Sequence, residues 1–249
     1  MNSKNPYARI TFNEFKKRAS NPFLSKYEKI GFPDDYRKNS EIDIFRDLNH
    51  KLNLQREKIT IADIGCGCSD LADLLIKNGE SCNQTLIMID SQEMLDLLPN
   101  KNYIKKINVK FPDCYEEVKQ ISETLDVIIV YSVMQHIILD SNPFSFIDKA
   151  LELLKPGGML LLGDLPNNTK RNRFFTSEKG IETHKNYCGN TPKPLPVVGF
   201  PNTHETIDDG MVFGILMRYR GLGFETYLLP QPENLPMSNR REDVLIVKN

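Results

Sequence analysis

The chain lacks three features, each of which would have named a class of protein. No stretch of its 249 residues reaches the roughly 18 apolar residues of a membrane span, and the opening MNSKNPYARITFNEFKKRAS has no apolar core of signal-peptide length. A cytoplasmic protein without a membrane span is therefore expected. There is no charge excess: 32 basic against 33 acidic side chains give a net charge of -1, which excludes a globally basic nucleic-acid binder and confines any charge argument to local patches. Nor is there a cysteine framework. Cys66, Cys68, Cys82, Cys114 and Cys188 are odd in number and irregularly spaced, and the Cys66/Cys68 pair has no second ligand pair at zinc spacing, so neither disulfides nor a metal site is expected. Internal repeats and low-complexity tracts are missing as well. What is present, 40% hydrophobic and 26% charged residues, suits one large α/β domain with additions.

The chain changes texture near residue 58. Before it lies a polar segment with scattered aromatics, in which SEIDIFRDLNHKL puts Ile42, Phe45, Leu48 and Leu52 on one helix face with Ser40 as N-cap. Residues 1–57 are read as an N-terminal helical cap and 58–249 as the main domain. From Lys58 short apolar runs alternate with amphipathic segments, the mark of a parallel sheet covered on both faces. Strands are predicted at 59–64, 85–90, 103–108, 125–131 and 158–164, and a closing pair in FETYLLP and EDVLIVK. Helices are predicted near 69–78, 91–98, 114–122, 144–154 and 208–221, and an irregular segment over about 165–206, whose Pro-, Asn- and Gly-rich part from 186 on suits a lid or binding loop. The count is that of a doubly wound, Rossmann-like sheet of seven strands, parallel except for the last. Ligands of such sheets sit at the carboxyl ends of the parallel strands.

IADIGCGCSDL is a strand running into a Gly-x-Gly turn and then a helix. Gly65 and Gly67 allow close backbone approach to a ligand, and the helix that follows offers free N–H groups. Asp70 stands where a third glycine of the dinucleotide fingerprint would be. The second strand ends in Asp90, whose carboxylate can accept two hydrogen bonds from ribose hydroxyls. These features point to an adenosine-type nucleotide and suit NAD and S-adenosylmethionine equally.

Four segments, ADIGCG (62–67), IDSQEML (89–95), LDVIIVYSVMQHI (125–137) and LLKPGGMLLLGD (153–164), occur in the order and spacing of the class I S-adenosylmethionine-dependent methyltransferases, which the chain resembles over about 58–165. The resemblance implies that Asp63, Gly65 and Gly67 surround the methionine part of S-adenosyl-L-methionine, that Asp90 holds the ribose, and that Ser91 and Met94 flank the adenosine. Many members have an acidic residue after the third strand. Here NVKFPD stands in its place, and Phe111 or Asp113 would meet the adenine. Arg37 is the candidate contact to the cofactor carboxylate; Tyr27, Phe32 and Tyr36 near it read as packing. GFPDDYR (31–37), GDLPNNTKRNRFF (163–175) and LPMSNRREDVLI (235–246) further resemble methyltransferases of bacterial capsule and surface-polysaccharide pathways, including those serving O-methyl phosphoramidate decoration. That likeness implies a small anionic, sugar-related acceptor.

Topology gives the acceptor an address. Strand four ends in YSVMQH, which places Tyr131, Ser132, Gln135 and His136 on the ligand rim; strand five ends at Asp164, and LPNNTKRNRFF leaves the sheet there. The turn before the last strand brings Arg240 and Arg241 to the same face. Arginine forks suit phosphate and carboxylate oxygens, so Lys170, Arg171, Arg173, Arg240 and Arg241 are expected to form an electropositive acceptor pocket, with His184 as a further candidate. Solvated surface cations, Arg241 pairing with Glu242 or Asp243, are the competing reading. A hydroxyl acceptor must lose a proton during attack, for which His136 and Asp164 are the candidates. An NAD-dependent oxidoreductase would share the glycine turn and Asp90, but not the LKPGG turn or the terminal hairpin. A non-catalytic S-adenosylmethionine-binding subunit would keep the same residues. A nucleic-acid methyltransferase would need a recognition domain and an Asn-Pro-Pro-Tyr type of fourth motif, both missing here.

Overall fold

The computed structural model describes residues 7, 9–113, 115–189, 191, 193–197 and 206–249. Seven strands, β1 (Thr60–Ile64), β2 (Thr85–Asp90), β3 (Ile104–Asn108), β4 (Leu125–Tyr131), β5 (Leu154–Pro166), β6 (Glu225–Leu229) and β7 (Arg241–Val247), form one sheet in the order β3-β2-β1-β4-β5-β7-β6. All neighbours are parallel except β7, which runs antiparallel to both β5 and β6. The doubly wound sheet with one reversed strand is therefore as expected. Because β1 and β4 lie side by side at the centre while the chain winds outward from them in both directions, the crevice at their carboxyl ends is the topological switch point.

Alternation along the strands sorts the core into two layers. Ile128 and Val130 of β4 point to one face, against Phe146, Ile147 and Val212; Val127, Ile129 and Tyr131 point to the other, against Leu48, Leu52 and Leu75. The helices are α1 (Phe12–Ala19), α2 (Lys26–Lys29), α3 (Asp34–Arg37), α4 (Glu41–Leu52), α5 (Asp70–Ser81), α6 (Gln92–Leu95), α7 (Tyr115–Val118), α8 (Met134–Asp140), α9 (Pro143–Leu153), α10 (Asn168–Phe175), α11 (Glu178–Cys188) and α12 (Asp209–Gly221).

Three differences from the sequence reading have local causes. The stretch from 165 is not irregular at first: Asn167 caps α10 by accepting the Lys170 N–H (3.0 Å), and Ser177 caps α11 by accepting the Gly180 N–H (3.2 Å). Residues 193–197 have no regular structure, and most of the proposed lid (190, 192 and 198–205) lies outside the described residues, as does Cys114. In α4, Ile42 is 53% exposed, because the buried stripe runs through Glu41, Ile44, Leu48 and Leu52. Acidic residues share that stripe because cations meet them: Arg37 faces Glu41 (3.6 Å), and Lys51 bonds Asp47 (2.6 Å). Ser40 does precede α4, but its side chain makes no capping bond.

Lys51 also bonds Oδ2 of Asp243 (2.6 Å), a residue with no exposed surface on β7. Oδ1 of the same carboxylate accepts the Asp164 N–H (2.8 Å) and Gln231 Nε2 (2.9 Å). One buried carboxylate thus ties the cap helix α4, the last strand and the end of β5 together. Removing one partner of a buried pair leaves an uncompensated charge, so Lys51→Met should lower the unfolding free energy by about 3–5 kcal/mol, read from the urea midpoint. A loss within the ~0–1 kcal/mol of a surface pair would show that the network does not have this role.

Candidate functional site

β1 delivers the chain into the turn Gly65-Cys66-Gly67 with both glycines left-handed (φ 75° and 61°). A Cβ on Gly65 would lie 2.7 Å from Val133 Cγ2, and one on Gly67 2.8 Å from Ile30 Cγ2. Both positions thus exclude side chains on two counts, conformation and space. Gly65 N–H donates to Ile89 O (2.8 Å) and Gly67 N–H to Asp90 Oδ2 (3.0 Å), while Ser91 N–H donates to Asp90 Oδ1 (2.7 Å). Ser69 then starts α5 by accepting the Leu71 N–H (3.3 Å).

Beside this turn lies a concave cleft, about 1000 Å³ with its open mouth included. Asp63, Gly65, Gly67, Asp90, Met94, Phe111, Tyr131, Ser132, His136 and Arg37 all line it. Ser91 is buried one layer back, where its hydroxyl caps α6 by accepting the Met94 N–H (3.3 Å). Of the two candidates after β3, Phe111 reaches the cleft and packs edge-on against Phe146, whereas Asp113 is exposed and pairs with Lys110 (3.0 Å). Sequence reasoning missed Phe12, Phe15 and Ile30, which close the cleft from the cap. Their apolar character against an otherwise polar segment was the only signal.

The cleft carries a distinctive charge pattern. Burial, with Asp90 close by, pushes the Asp63 carboxyl up to about 7. Burial raises Asp90 to about 6, even though the Gly67 and Ser91 amides favour its ionised form. In the same lining Arg37 is 5% exposed, stacks over Tyr131 (5.4 Å) and Phe32 (4.8 Å), and leaves Nη2 without a hydrogen-bond partner. A buried unsatisfied guanidinium nitrogen is costly. Two buried carboxylates and an arginine with an unpartnered donor in one lining fit a ligand bearing a cation, hydroxyls and a carboxylate, and the apolar side chains of Met94, Ile89 and Phe111 fit an aromatic base.

His136, on the first turns of α8, meets the Ile10 carbonyl through Nδ1 (3.0 Å) and Phe15 edge-on (4.8 Å). A carbonyl only accepts, so Nδ1 carries the proton and Nε2 is left bare. Burial holds the imidazole down to about 4, with the Arg241 charge acting in the same direction. Asp164, at the end of β5, is left-handed (φ 58°), as is Ser132 at the end of β4 (φ 59°). Ser132 Oγ donates to Asp164 Oδ2 (2.5 Å). Two left-handed non-glycine residues bonded to each other thus sit at the strand-end crevice, where backbone strain is commonly stored at binding sites. Gly163 precedes Asp164 because a Cβ there would enter the Tyr131 ring (2.4 Å).

The five predicted cations divide. Arg171, Arg240 and Arg241 line a second cavity of about 510 Å³, together with Pro166, Asn167, Asn168 and Met237. Arg241 pairs with neither Glu242 nor Asp243; it donates Nη1 to Asp164 O (3.0 Å), with Nε 3.7 Å from Asp164 Oδ1. Lys170 and Arg173 turn away. Lys170 donates to Arg241 O (2.7 Å) and lies 3.8 Å from Glu242, and Arg173 is exposed and pairs with Asp209 at the start of α12. The helical winding of α10 separates these side chains, which a loop would have left free to converge. His184 lies on α11, with Nε2 3.0 Å from Lys193 O and the ring edge-on to Phe175, and lines neither cavity. Among the described residues no group of three or more His, Cys, Asp or Glu side chains could hold a metal, and no helix is long and apolar enough to cross a membrane.

Residues 62–160 match the family described as a methyltransferase domain. No curated protein sequence matches the chain. Among solved structures, the plantazolicin methyltransferase BpumL in complex with SAH is similar, with a TM-score of 0.58 at 15% identity over 96% of this chain and 97% of that one. An Aquifex aeolicus SAM-dependent methyltransferase gives 0.52 at 15% identity over 90% and 98%. One from Archaeoglobus fulgidus gives 0.51 at 13% over 87% and 97%. At such identities the likeness carries the fold, and the domain match carries the chemistry. The chain thus carries a methyltransferase domain over residues 62–160 on a Rossmann-like methyltransferase fold, and its activity is S-adenosylmethionine-dependent methyl transfer.

The buried carboxylates make stability depend on pH. Below about pH 4 Asp63 and Asp90 are protonated in folded and unfolded chains alike. As pH rises from ~4 toward 7, the unfolded chain ionises first, near the ordinary ~3.9, and the folded state loses stability until its own values, about 7 and about 6, are passed. The ligand-free melting temperature of the native protein relative to Asp63→Asn should therefore fall between pH 5 and pH 7 and level off above. A flat difference would mean that the Asp63 carboxyl titrates at its ordinary value.

Proposed function

We propose that this methyltransferase transfers the methyl group to an oxygen of a small anionic, sugar-related acceptor belonging to capsule or surface-polysaccharide biosynthesis, O-methyl phosphoramidate decoration being one such setting. One observation supports this reading above the others. The arginine cavity abuts the end of β5, and Asp164 links it to the cofactor cleft: Arg241 contacts Asp164, which bonds Ser132 on the cleft wall. A purely apolar acceptor would have no use for three guanidiniums beside the cleft. The capsule setting rests on the resemblance of GFPDDYR, GDLPNNTKRNRFF and LPMSNRREDVLI.

In this reading Asp63 and the Gly65–Gly67 turn hold the methionine end of S-adenosyl-L-methionine, and the open Nη2 of Arg37 takes its carboxylate. Asp90 exchanges the Gly67 and Ser91 amides for ribose hydroxyls or shares itself between them. Met94 and Phe111 would supply the apolar contacts to the base, with Ser91 fixing the start of α6 behind Met94, and Tyr131 and Ser132 would form the wall toward the acceptor. The bound cofactor supplies a methyl group already activated by its sulfonium, so the protein's share is alignment and, for a hydroxyl acceptor, proton removal. His136 receives that proton at Nε2, because its other nitrogen is tied to Ile10 O. Asp164 orients Arg241 and Ser132.

Testing phosphorylated and nucleotide-linked sugar intermediates by mass spectrometry should find a gain of one methyl group in anionic compounds. Equal turnover of neutral analogues would overturn the acceptor class. Asp90→Asn should weaken S-adenosylhomocysteine binding about 10- to 100-fold, the loss of one or two charge-assisted hydrogen bonds, measured by calorimetry. His136→Asn should cut kcat on a hydroxyl acceptor by about 10²-fold or more while leaving S-adenosylhomocysteine affinity within a few-fold; unchanged turnover across pH would remove it as the base.

A further inference from the structure

The arginine cavity raises a question that an anionic acceptor alone does not answer, namely which atom of the acceptor the arginines hold. Its lining shares no residue with that of the cofactor cleft. Asp164 and Ser132 stand between the two, the first contacting Arg241, the second forming part of the cleft wall. Within the cavity the Nε atoms of Arg171 and Arg240 are buried without any hydrogen-bond partner. Arg240 rests over the Phe175 ring (5.3 Å), which fixes its plane but supplies no counter-charge. The hydroxyl of Tyr36 is buried beside it and is the polar group that Arg240 meets from the N-terminal helices. The one carboxylate that meets the three guanidiniums is Asp164, and it meets only Arg241. Three cations against one anion leave an excess of two positive charges in a half-buried space, where repulsion is weakly screened. Arg171 and Arg240 are each held below the ordinary arginine range by burial, and Arg241 adds to this in both cases.

We propose that this cavity binds the dianionic phosphate group of a phosphorylated acceptor as a handle, and that the methylated oxygen is a different atom of the same molecule, presented to the cofactor cleft past Asp164 and Ser132. The inference rests on the acceptor reading above. A dianion matches the excess charge, and its oxygens match the open Nε donors of two planar guanidinium forks. The same oxygens, once bound by arginines, have their electron density engaged and are a side-chain layer away from the cleft, so they are poor nucleophiles there. The reacting oxygen is accordingly a hydroxyl, which among the settings named above sets aside methylation of a phosphoramidate's own oxygen. Its oxygen–carbon bond forms as the sulfur–carbon bond breaks with the electron pair left on sulfur, and its proton passes to His136 Nε2.

The test is calorimetric titration of the full chain, loaded with S-adenosylhomocysteine, with inorganic phosphate at pH 8 and, separately, with dimethyl phosphate, a monoanion. Inorganic phosphate should bind saturably without displacing S-adenosylhomocysteine, and dimethyl phosphate at least tenfold more weakly. The double variant Arg171→Gln/Arg240→Gln should lose at least tenfold in phosphate affinity while its S-adenosylhomocysteine affinity, the check on folding, stays within twofold. Arg171→Lys/Arg240→Lys, which keeps the charge but not the fork, should fall between the two. Phosphate binding untouched by the glutamine substitutions, or competitive with S-adenosylhomocysteine, would overturn the proposal. So would methyl phosphate formed from inorganic phosphate and S-adenosylmethionine, since the held anion would then be the methylated group. Arginine-dependent phosphate binding in a protein that methylates no phosphorylated compound would support the anion site and overturn the acceptor reading alone.

Discussion

The Asp243 carboxylate, without exposed surface and shared between Lys51, Gln231 and the Asp164 amide, is the interaction on which the arrangement of the site depends. A buried charge cannot be left unpaired, so the positions of its partners are coupled. Lys51 brings in α4 and with it the cap, whose preceding helix carries Arg37 into the cofactor cleft. The Asp164 amide fixes a left-handed residue at the end of β5, and that residue in turn orients Ser132 on one side and Arg241 on the other. One carboxylate on the reversed strand thereby sets the register between the methyl-donor cleft and the arginine cavity.

The two cavities are electrostatic opposites. The cleft concentrates buried carboxylates, Asp63 and Asp90, whose ionised forms are disfavoured until a cation arrives. The neighbouring cavity concentrates guanidiniums with open donors. In the proposed reading a sulfonium and an anion would each be drawn to their own side, and the methyl group would cross at the boundary between them, Asp164 with Ser132. Alignment is the main task in a direct displacement at an activated carbon, and charge separation over a fixed rim would be a physical means of achieving it.

Much of this was legible in the sequence because it depends on local periodicity. Short apolar runs alternating with amphipathic segments specified the strands. A Gly-x-Gly turn followed by a strand-end acid located the cleft, since only glycine tolerates the left-handed turn pressed against Val133 and Ile30. The start of α10 was harder to read: a basic run with Asn residues reads equally as loop or helix until Asn167 is seen to cap it while bonding Glu242 and Asp209 from distant elements. The face of α4 was misjudged for a related reason. Acidic residues normally face water, and Glu41 and Asp47 are buried only because Arg37 and Lys51 accompany them.

By itself the sequence determined the doubly wound sheet, the nucleotide-type cleft at its switch point, and the family of chemistry, because each follows from hydrophobic period, glycine placement and short motifs within one or two elements. Tertiary structure alone decided which cations share a cavity. Lys170, Arg171 and Arg173 are neighbours in the chain, yet only Arg171 joins Arg240 and Arg241, because helix geometry directs side chains one or two residues apart to different faces and Asp209 and the Arg241 carbonyl claim the other two. Pairing across 70 residues of chain is a matter of three-dimensional distance, which periodicity does not encode.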